Sequence, residues 1–311
     1  MMTAYPQHPG EAAKPPVWID LVDPTEAEKE MVENGSGLSI PTLQDLSEIE
    51  TSSRAYVERG ALYLSTPLVA HARGGHPTLT PVGLVLTPGL LVTVRFSELS
   101  VFDKEAARVT PDLTAVEAFT RLFEAIVDRD ADLLELAGAE LDRIAARIFT
   151  TTKRKSGGKD DNTLRKILAD VGGSAGRLSM IRDSLLGAGR VLPLVCERAA
   201  DWLSPDVATR LTVVRQDIVS LDDYETHLAN KTQFLLDAVL GLINVEQNDI
   251  FKLLTVVSVV GIPPTLVASI YGMNFHLMPE LAWRWGYPFG LAMIVISTVI
   301  PLVWFKWKGW F

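Results

Sequence analysis

The sequence contains only one cysteine, Cys196, among 311 residues. An intrachain disulfide needs two cysteines and a cysteine-based zinc site needs several, so neither is expected. A single thiol is also typical of a domain in a reducing compartment. Residues 1–16 are polar and proline-rich and contain no secretory signal, and we expect a disordered tail there.

The first hundred residues also lack the motifs of common catalytic sites. They contain no glycine-rich phosphate loop and no nucleophile with a supporting base, so we do not expect an enzyme. His71 and His76 lie near each other in the sequence, around Gly74-Gly75. Two loop histidines are more often solvated side chains than metal ligands, and we do not assign them a metal.

Charged residues are absent from two segments near the C-terminus, 253–271 and 285–305. At about 1.5 Å per residue the first would be about 28 Å long, enough to cross the hydrocarbon core of a bilayer. The second leads into Trp304, Phe305, Lys306, Trp307 and Lys308, an aromatic belt with cationic anchors. We therefore predict two membrane spans, with both termini and the large N-terminal body in the cytoplasm.

Positive charge is scarce in that N-terminal body. The formal charge of the chain is −9, and residues 251–311 carry a net +3, which leaves −12 on residues 1–250. An acidic body argues against nucleic acid as a partner, because nucleic-acid binding needs a basic face. An acidic body is compatible with a protein that interacts with cations.

Short apolar runs separated by turn residues predict a small α/β unit at the N-terminus. Pro88-Gly89 predicts a hairpin, so the sheet should be at least partly antiparallel. Two long amphipathic helices should follow as an antiparallel pair around a polar break at 151–162. The predicted strands are 17–21, 55–64, 82–87 and 90–96, and the predicted helices are 26–33, 41–46, 114–149 and 164–186, with a connection over 190–203.

After Pro205 the sequence contains no proline as far as residue 262. Pro205 suits the first position of a helix, and apolar residues recur at heptad-like steps from Leu211 to Leu242. The pattern is interrupted at Glu225 and Thr232. We expect a long stalk helix that associates with copies of itself and continues into the first span.

Polar residues recur at helical spacing along the end of this stalk and the first span. At about 100° per residue they lie within an arc of about 100° on one helix face, here called the polar stripe. Phe251 and Ile262 lie on the same face. Lipid contact would be costly for such a stripe, so we expect it to face other helices or water. Its members are Asn244, Asn248, Thr255, Ser258, Thr265 and Ser269.

The polar stripe has two interpretations. One helix cannot enclose a pore, so conduction would require several copies of the chain with their stripes around a shared axis. Alternatively, small hydroxylated residues mediate close helix packing in a non-conducting coiled-coil scaffold. Spacing alone leaves both open.

The segment YGMNF at 271–275, followed by MPEL at 278–281, resembles the signature of the CorA family of magnesium channels. The similarity extends to VWIDL at 17–21, to 243–248, 263–269 and 285–288, and to the lysine-rich end, so it covers essentially the whole chain. It implies an α+β membrane protein that forms a homopentamer in the inner (cell) membrane.

The resemblance also implies a domain order. A cytoplasmic α/β/α domain would occupy 17–203, and a stalk helix at 204–252 would continue into a pore-lining span at 253–272. An outer loop at 273–285, a peripheral span at 286–305 and a basic cytoplasmic end at 306–311 would follow.

The resemblance implies a selectivity filter formed by Gly272, Met273 and Asn274. A ring of neutral Asn274 amides can hydrogen-bond to the waters of Mg²⁺ without removing them. Gly272 would let the backbone turn sharply at the pore mouth. Glu280 on the outer loop would attract cations, with an ordinary solvated residue as the alternative.

Deeper sites follow from the same resemblance. The polar stripe and Ile262 would line the pore, and Phe251 and Leu254 would form a hydrophobic gate. Asp237 matches a carboxylate of an intersubunit regulatory Mg²⁺ site in some members, with an exposed stalk charge as the alternative. His276 stands where the family commonly has an acidic residue, which weakens the negative field at the entrance.

Together these features predict a passive Mg²⁺ channel gated by intracellular Mg²⁺, with Co²⁺ and Ni²⁺ as further candidate ions and no other cofactor. Its partners would be copies of itself, membrane lipid and divalent cations. A Zn²⁺ transporter on the same fold is the alternative within transport. Zinc-transporting relatives usually lack the signature methionine and the MPEL segment, so Met273 and 278–281 favour magnesium.

Overall fold

A computed structural model describes residues 1–6, 15–48, 54–71, 77–153, 161–273, 279 and 283–310. The chain divides into two units, Met1–Leu236 and Asp237–Phe311. The first unit contains a sheet and the helices that cover it. The second contains the two long apolar helical segments.

The first unit is built on a six-stranded sheet. Its strands are β1 Met2–Tyr5, β2 Trp18–Val22, β3 Ala55–Glu58, β4 Ala61–His71, β5 Pro77–Leu86 and β6 Leu91–Arg95, in the spatial order β1-β2-β6-β5-β4-β3. The pair β2 and β6 is parallel, and the other neighbours are antiparallel. The expectation of a sheet that is at least partly antiparallel is confirmed, as is the hairpin at Pro88-Gly89.

Helices make up the rest of the described chain. They are α1 Glu26–Ser36, α2 Leu43–Ser47, α3 Ser100–Ala106, α4 Ala115–Lys153, α5 Asp161–Arg198, α6 Pro205–Tyr271 and α7 Gly286–Trp307, with a short 3₁₀ turn at Ala200–Trp202. Threonine side chains cap α1 and α2, since Thr25 and Thr42 each accept a hydrogen bond from the backbone of the third helical residue. The helix α6 continues through Pro263 and Pro264.

The sheet has an apolar core on each face because side chains alternate along every strand. On β4, Leu62 and Leu64 pack in the core that includes α3, α4, α5 and the start of α6. Ala61 and Tyr63 pack in the opposite core, which includes residues of α1 and α2. The sheet therefore lies between two helical layers, the α/β/α arrangement that the family resemblance implies.

Several predicted boundaries were wrong. Met2–Tyr5 pairs with β2 as an edge strand instead of belonging to a disordered tail, while residues 7–14 lie outside the described part. The single strand predicted over 55–64 is two strands, because Arg59 and Gly60 adopt positive φ angles of 49° and 78° and reverse the chain. The helix α3 was not predicted.

The connection predicted over 190–203 is helical as far as Arg198. Pro193 lies inside α5, where it removes one backbone hydrogen bond. Burial offsets that loss, since Val191, Leu192 and Val195 are fully buried in the larger core.

The heptad pattern of the stalk packs largely within its own chain. Leu211, Val214 and Ile218 belong to the larger core, and Leu228 is buried as well. Glu225, which interrupts the pattern, is 2% exposed and pairs with Arg182 of α5 at 3.1 Å. The heptad pattern is therefore explained by intrachain packing and does not by itself indicate an oligomer.

A buried ion pair joins β2 to β6. The Arg95 guanidinium donates to Asp20 Oδ2 at 2.8 Å, and Thr93 Oγ1 donates to Asp20 Oδ1 at 2.6 Å. Both charged side chains are 4% exposed, so the Asp20 carboxylate depends on Arg95 to balance its buried charge, while Arg95 also pairs with the more exposed Asp103 at 2.7 Å.

Replacing Arg95 with methionine should lower the free energy of unfolding by about 3–5 kcal/mol, because it leaves the buried Asp20 carboxylate without its cation. Denaturant unfolding of the purified protein measures this loss. Arg198→Met is the matched control: its pair with Glu197 at 3.4 Å is on the surface, with side chains 57% and 69% exposed, and its loss should cost less than about 1 kcal/mol. Equal losses in the two variants would contradict the assignment.

Candidate functional site

Two described helices are long and apolar enough to cross a membrane. The best 18-residue windows of α6 and α7 have mean hydropathies of 2.0 and 2.1, and only 6% of each window is buried. A core helix of a soluble protein would be mostly buried, whereas these helices leave their apolar side chains uncovered. Such surfaces need lipid or further protein around them.

The first span is covered along one face only. Val256 is buried, and Val260, Pro263, Val267 and Tyr271 are half-buried. These residues follow steps of three and four, so they form one stripe of the helix. At about 100° per residue this covered face points about 150° away from the polar stripe.

The polar stripe itself is left open by a single chain. Ser258 is half-buried, and its other five members are exposed, as is Ile262. Phe251 and Leu254, at the predicted hydrophobic gate, are 66% and 60% exposed. Phe251 lies near the middle of the stripe, and Leu254 lies about 20° outside its edge. The helix thus separates the face that packs within the second unit from the face that carries the amides and hydroxyls.

The threonines of the stripe use their protons within their own helix. Thr255 Oγ1 donates to the Phe251 carbonyl oxygen at 2.7 Å, and Thr265 Oγ1 donates to the Gly261 carbonyl oxygen at 2.8 Å. Each hydroxyl oxygen keeps acceptor lone pairs. The waters of a hydrated cation present their hydrogens outward, so acceptors along the stripe match that surface.

At the C-terminal end of the first span, α6 ends at Tyr271. The Gly272 N–H donates to the Ala268 carbonyl oxygen at 2.9 Å, and Met273 is about half exposed. The φ angle of Gly272 is not positive, so the turn does not need the conformational freedom that we expected glycine to provide there. Space is the constraint instead, since a Cβ on Gly272 would lie 3.2 Å from the Ala268 carbonyl oxygen.

Several predicted residues lie outside the described part of the chain. They are Asn274, His276, Glu280 and the MPEL segment apart from Pro279, together with His76 and the side chain of His71. Among the described residues, no group of three or more histidine, cysteine, aspartate or glutamate side chains is arranged to hold a metal. Asp237 is exposed, seven residues before Asn244 and on the face of the polar stripe.

The sequence analysis missed a buried carboxyl group in the first unit. Asp130 of α4 is 2% exposed, and Ser184 Oγ of α5 donates to its Oδ2 at 2.6 Å. Burial raises the pKa of Asp130 to about 7, although the Ser184 hydrogen bond and the Arg129 charge oppose the shift. The sequence does contain a signal for this burial, because Asp130 falls between Val127 and Leu134 on the apolar face of α4.

Comparison with known proteins decides the family. The family model described as "CorA-like Mg2+ transporter protein" matches residues 14–307. The chain belongs to this family. The matched region runs from just before β2 to the end of α7, so both units are included.

Individual relatives agree with this assignment. The chain is similar to the magnesium transport protein CorA of Yersinia pseudotuberculosis, with 33% identity over 94% of this chain and 92% of the relative. The protein of the same name from Haemophilus influenzae is 30% identical over the same shares. The complete structure of the CorA magnesium transporter of Methanocaldococcus jannaschii has a TM-score of 0.76 at 20% identity and covers 98% of this chain and 95% of that one.

Proposed function

We propose that this chain forms a passive, self-assembled Mg²⁺ channel in the cell membrane. The observation that carries the proposal is the direction of the polar stripe, which points about 150° away from the face covered within the second unit. Copies arranged around an axis place this stripe inward and leave α7 toward lipid. Membership of the CorA-like family supports Mg²⁺ as the ion. The number of copies, five, is what the resemblance of the sequence to the family implies.

Selection in this channel acts on the hydrated ion. Mg²⁺ gives up its waters reluctantly, so the pathway must accept them. Asn274 at the outer mouth, with Gly272 and Met273, supplies amide oxygens for those waters, and Glu280 raises the local cation concentration. The acceptor oxygens of Thr255 and Thr265 continue the path inward.

The inner end of the pathway holds a hydrophobic constriction. Phe251 and Leu254 from several copies surround the axis there and stop conduction when the passage loses its water. In this proposal both termini are cytoplasmic, which places Asp237 on the cytoplasmic side of the constriction. Intracellular Mg²⁺ bound at Asp237 and at a carboxylate of another copy holds the closed form.

Ion flux into liposomes tests the proposal. Purified protein should carry Mg²⁺ into liposomes down an applied potential. Zn²⁺, added alone, should enter more slowly. The same measurement with Co²⁺ and with Ni²⁺ shows which other divalent ions pass. Faster Zn²⁺ than Mg²⁺ flux would instead establish a zinc transporter on this fold. The absence of any cation flux would leave a non-conducting scaffold.

Replacing Asp237 with alanine should weaken inhibition by internal Mg²⁺, because the closed form loses an anionic ligand. We expect the inhibitory concentration to rise about tenfold, corresponding to the loss of about one favourable charge contact. Flux from liposomes loaded with graded Mg²⁺ measures this shift. Asp223→Ala, an exposed carboxylate on the same helix, is the control, and an equal shift there would remove Asp237 from gating.

A further inference from the structure

A second polar feature of the membrane unit lies away from the polar stripe, where the first span begins and α7 ends. A pocket of about 570 Å³ opens between the two helices there. Lys252 and Leu253 line it from α6, and Lys308 and Trp310 line it from the C-terminal segment. The volume is within the range of small-ligand sites in proteins.

The chain after α7 is folded so that it lines one side of this pocket. Gly309 adopts a φ of 70°, which an L-residue with a side chain rarely accepts. The turn is held by the Gly309 N–H donating to the Lys306 carbonyl oxygen and by the Trp310 N–H donating to that of Phe305, both at 3.1 Å. Trp310 returns to pack on the buried Phe305, with ring centroids 5.1 Å apart. The tryptophan wall of the pocket is thus fixed by the local backbone.

The pocket carries a surplus of positive charge. Asp249, its one carboxylate among the described lining residues, pairs with Lys252 at 3.1 Å. The Lys308 ammonium lies 5.5 Å from the Trp304 ring centroid, and within the described part of the chain it forms no ion pair. Two ammonium groups against one carboxylate leave room for one further negative charge.

We propose that this pocket binds the phosphodiester of an anionic phospholipid between Lys252 and Lys308. The apolar lining, Leu253, Val256 and Trp310, covers the glycerol and first methylene groups. The two positive charges of Lys252 and Lys308 balance the two negative charges of Asp249 and the phosphodiester. Basic pockets between spans at the cytoplasmic face are where anionic headgroups bind. The inference rests on the membrane placement of the two spans and does not depend on which ion passes.

Native mass spectrometry of the purified full-length protein with added phosphatidylglycerol tests the site. A lysine that pairs with the phosphodiester contributes about a fivefold preference for anionic lipid, whereas an ammonium outside the pocket is screened by water and salt. Lys252→Gln with Lys308→Gln should therefore weaken retention by about 25-fold. Lys308→Gln alone should lose about fivefold. Lys306→Gln is the matched control: it removes the same charge from the same helix end but does not line the pocket, and it should stay within about twofold of the unsubstituted protein.

The comparison arms identify the ligand. Phosphatidylcholine should be retained weakly by all variants, and millimolar inorganic phosphate should not displace phosphatidylglycerol. Retention of phosphatidylglycerol by the double variant, or an equal loss in Lys306→Gln, would overturn the proposal. Equal retention of phosphatidylcholine would remove the preference for an anionic lipid, and displacement by inorganic phosphate would indicate a soluble anion as the ligand. The same spectra report the assembly mass, so a variant that fails to assemble is recognised directly.

Discussion

Replacing Asn274 with alanine should abolish Mg²⁺ uptake while leaving the assembly intact. Alanine removes the amide oxygens that accept hydrogen bonds from the waters of the entering ion, so the hydrated ion loses the contacts that stabilise it at the pore mouth. Loss of about one charge-assisted hydrogen bond from each of several copies corresponds to a fall in flux of at least about a hundredfold. Mg²⁺ flux into liposomes and the mass of the assembly in detergent measure the two parts of this expectation.

Asn230→Ala is the matched control for that variant. It makes the same chemical change at an exposed position of α6 in the first unit, and flux should be unchanged. Normal uptake by Asn274→Ala would refute the filter assignment. A variant with no flux and no assembly would show instead that Asn274 acts in subunit association.

Replacing Asp130 with asparagine should stabilise the protein above pH 7. In the folded state burial raises the pKa of this carboxyl from 3.8 to about 7. The folded state therefore binds the proton more tightly than the unfolded state, and the stability of the unsubstituted protein falls as the pH rises between these two values. The loss amounts to at most about 4 kcal/mol and persists at higher pH. Asparagine remains neutral and still accepts the Ser184 hydrogen bond.

Thermal unfolding at pH 5 and pH 8 tests this expectation. At pH 8 Asp130→Asn should be more stable than the unsubstituted protein by about 2–4 kcal/mol, and at pH 5 the difference should shrink to about 1 kcal/mol. Asp132→Asn changes an exposed carboxyl on the same helix and should show no such dependence. If Asp130→Asn is less stable than the unsubstituted protein at pH 8, the expectation is wrong. The Asp130 carboxylate would then be ionised in the folded protein and stabilised by neighbouring groups.

Local sequence signals predicted the strongly patterned elements well. The hairpin at Pro88-Gly89 and the start of α6 at Pro205 follow from residues whose backbone preferences are narrow. The two spans follow from charge-free runs of sufficient length. The face opposite the polar stripe could be located from spacing alone, because a helix has a fixed angle per residue.

Long-range packing produced the features that the sequence did not reveal. Met2–Tyr5 is a strand because β2 offers it an edge to pair with, and local periodicity does not reveal that partner. The heptad pattern predicted an apolar stripe but did not identify what packs against it. Leu211 and Val214 of that stripe pack in the core of the first unit of the same chain. Buried Asp130 and the Asp20–Arg95 pair depend on what faces them from other elements, and periodicity carries no such information.

The direction of the polar stripe can be measured in the protein reconstituted in liposomes. With Cys196 replaced by serine, single cysteines are introduced at Thr265 and at Val257, which lies outside both the stripe and the covered face. A charged, membrane-impermeant thiol reagent is then applied during Mg²⁺ flux in liposomes. The account predicts that the reagent blocks flux in Thr265→Cys and leaves flux in Val257→Cys unchanged. Block at Val257 with none at Thr265 would contradict it.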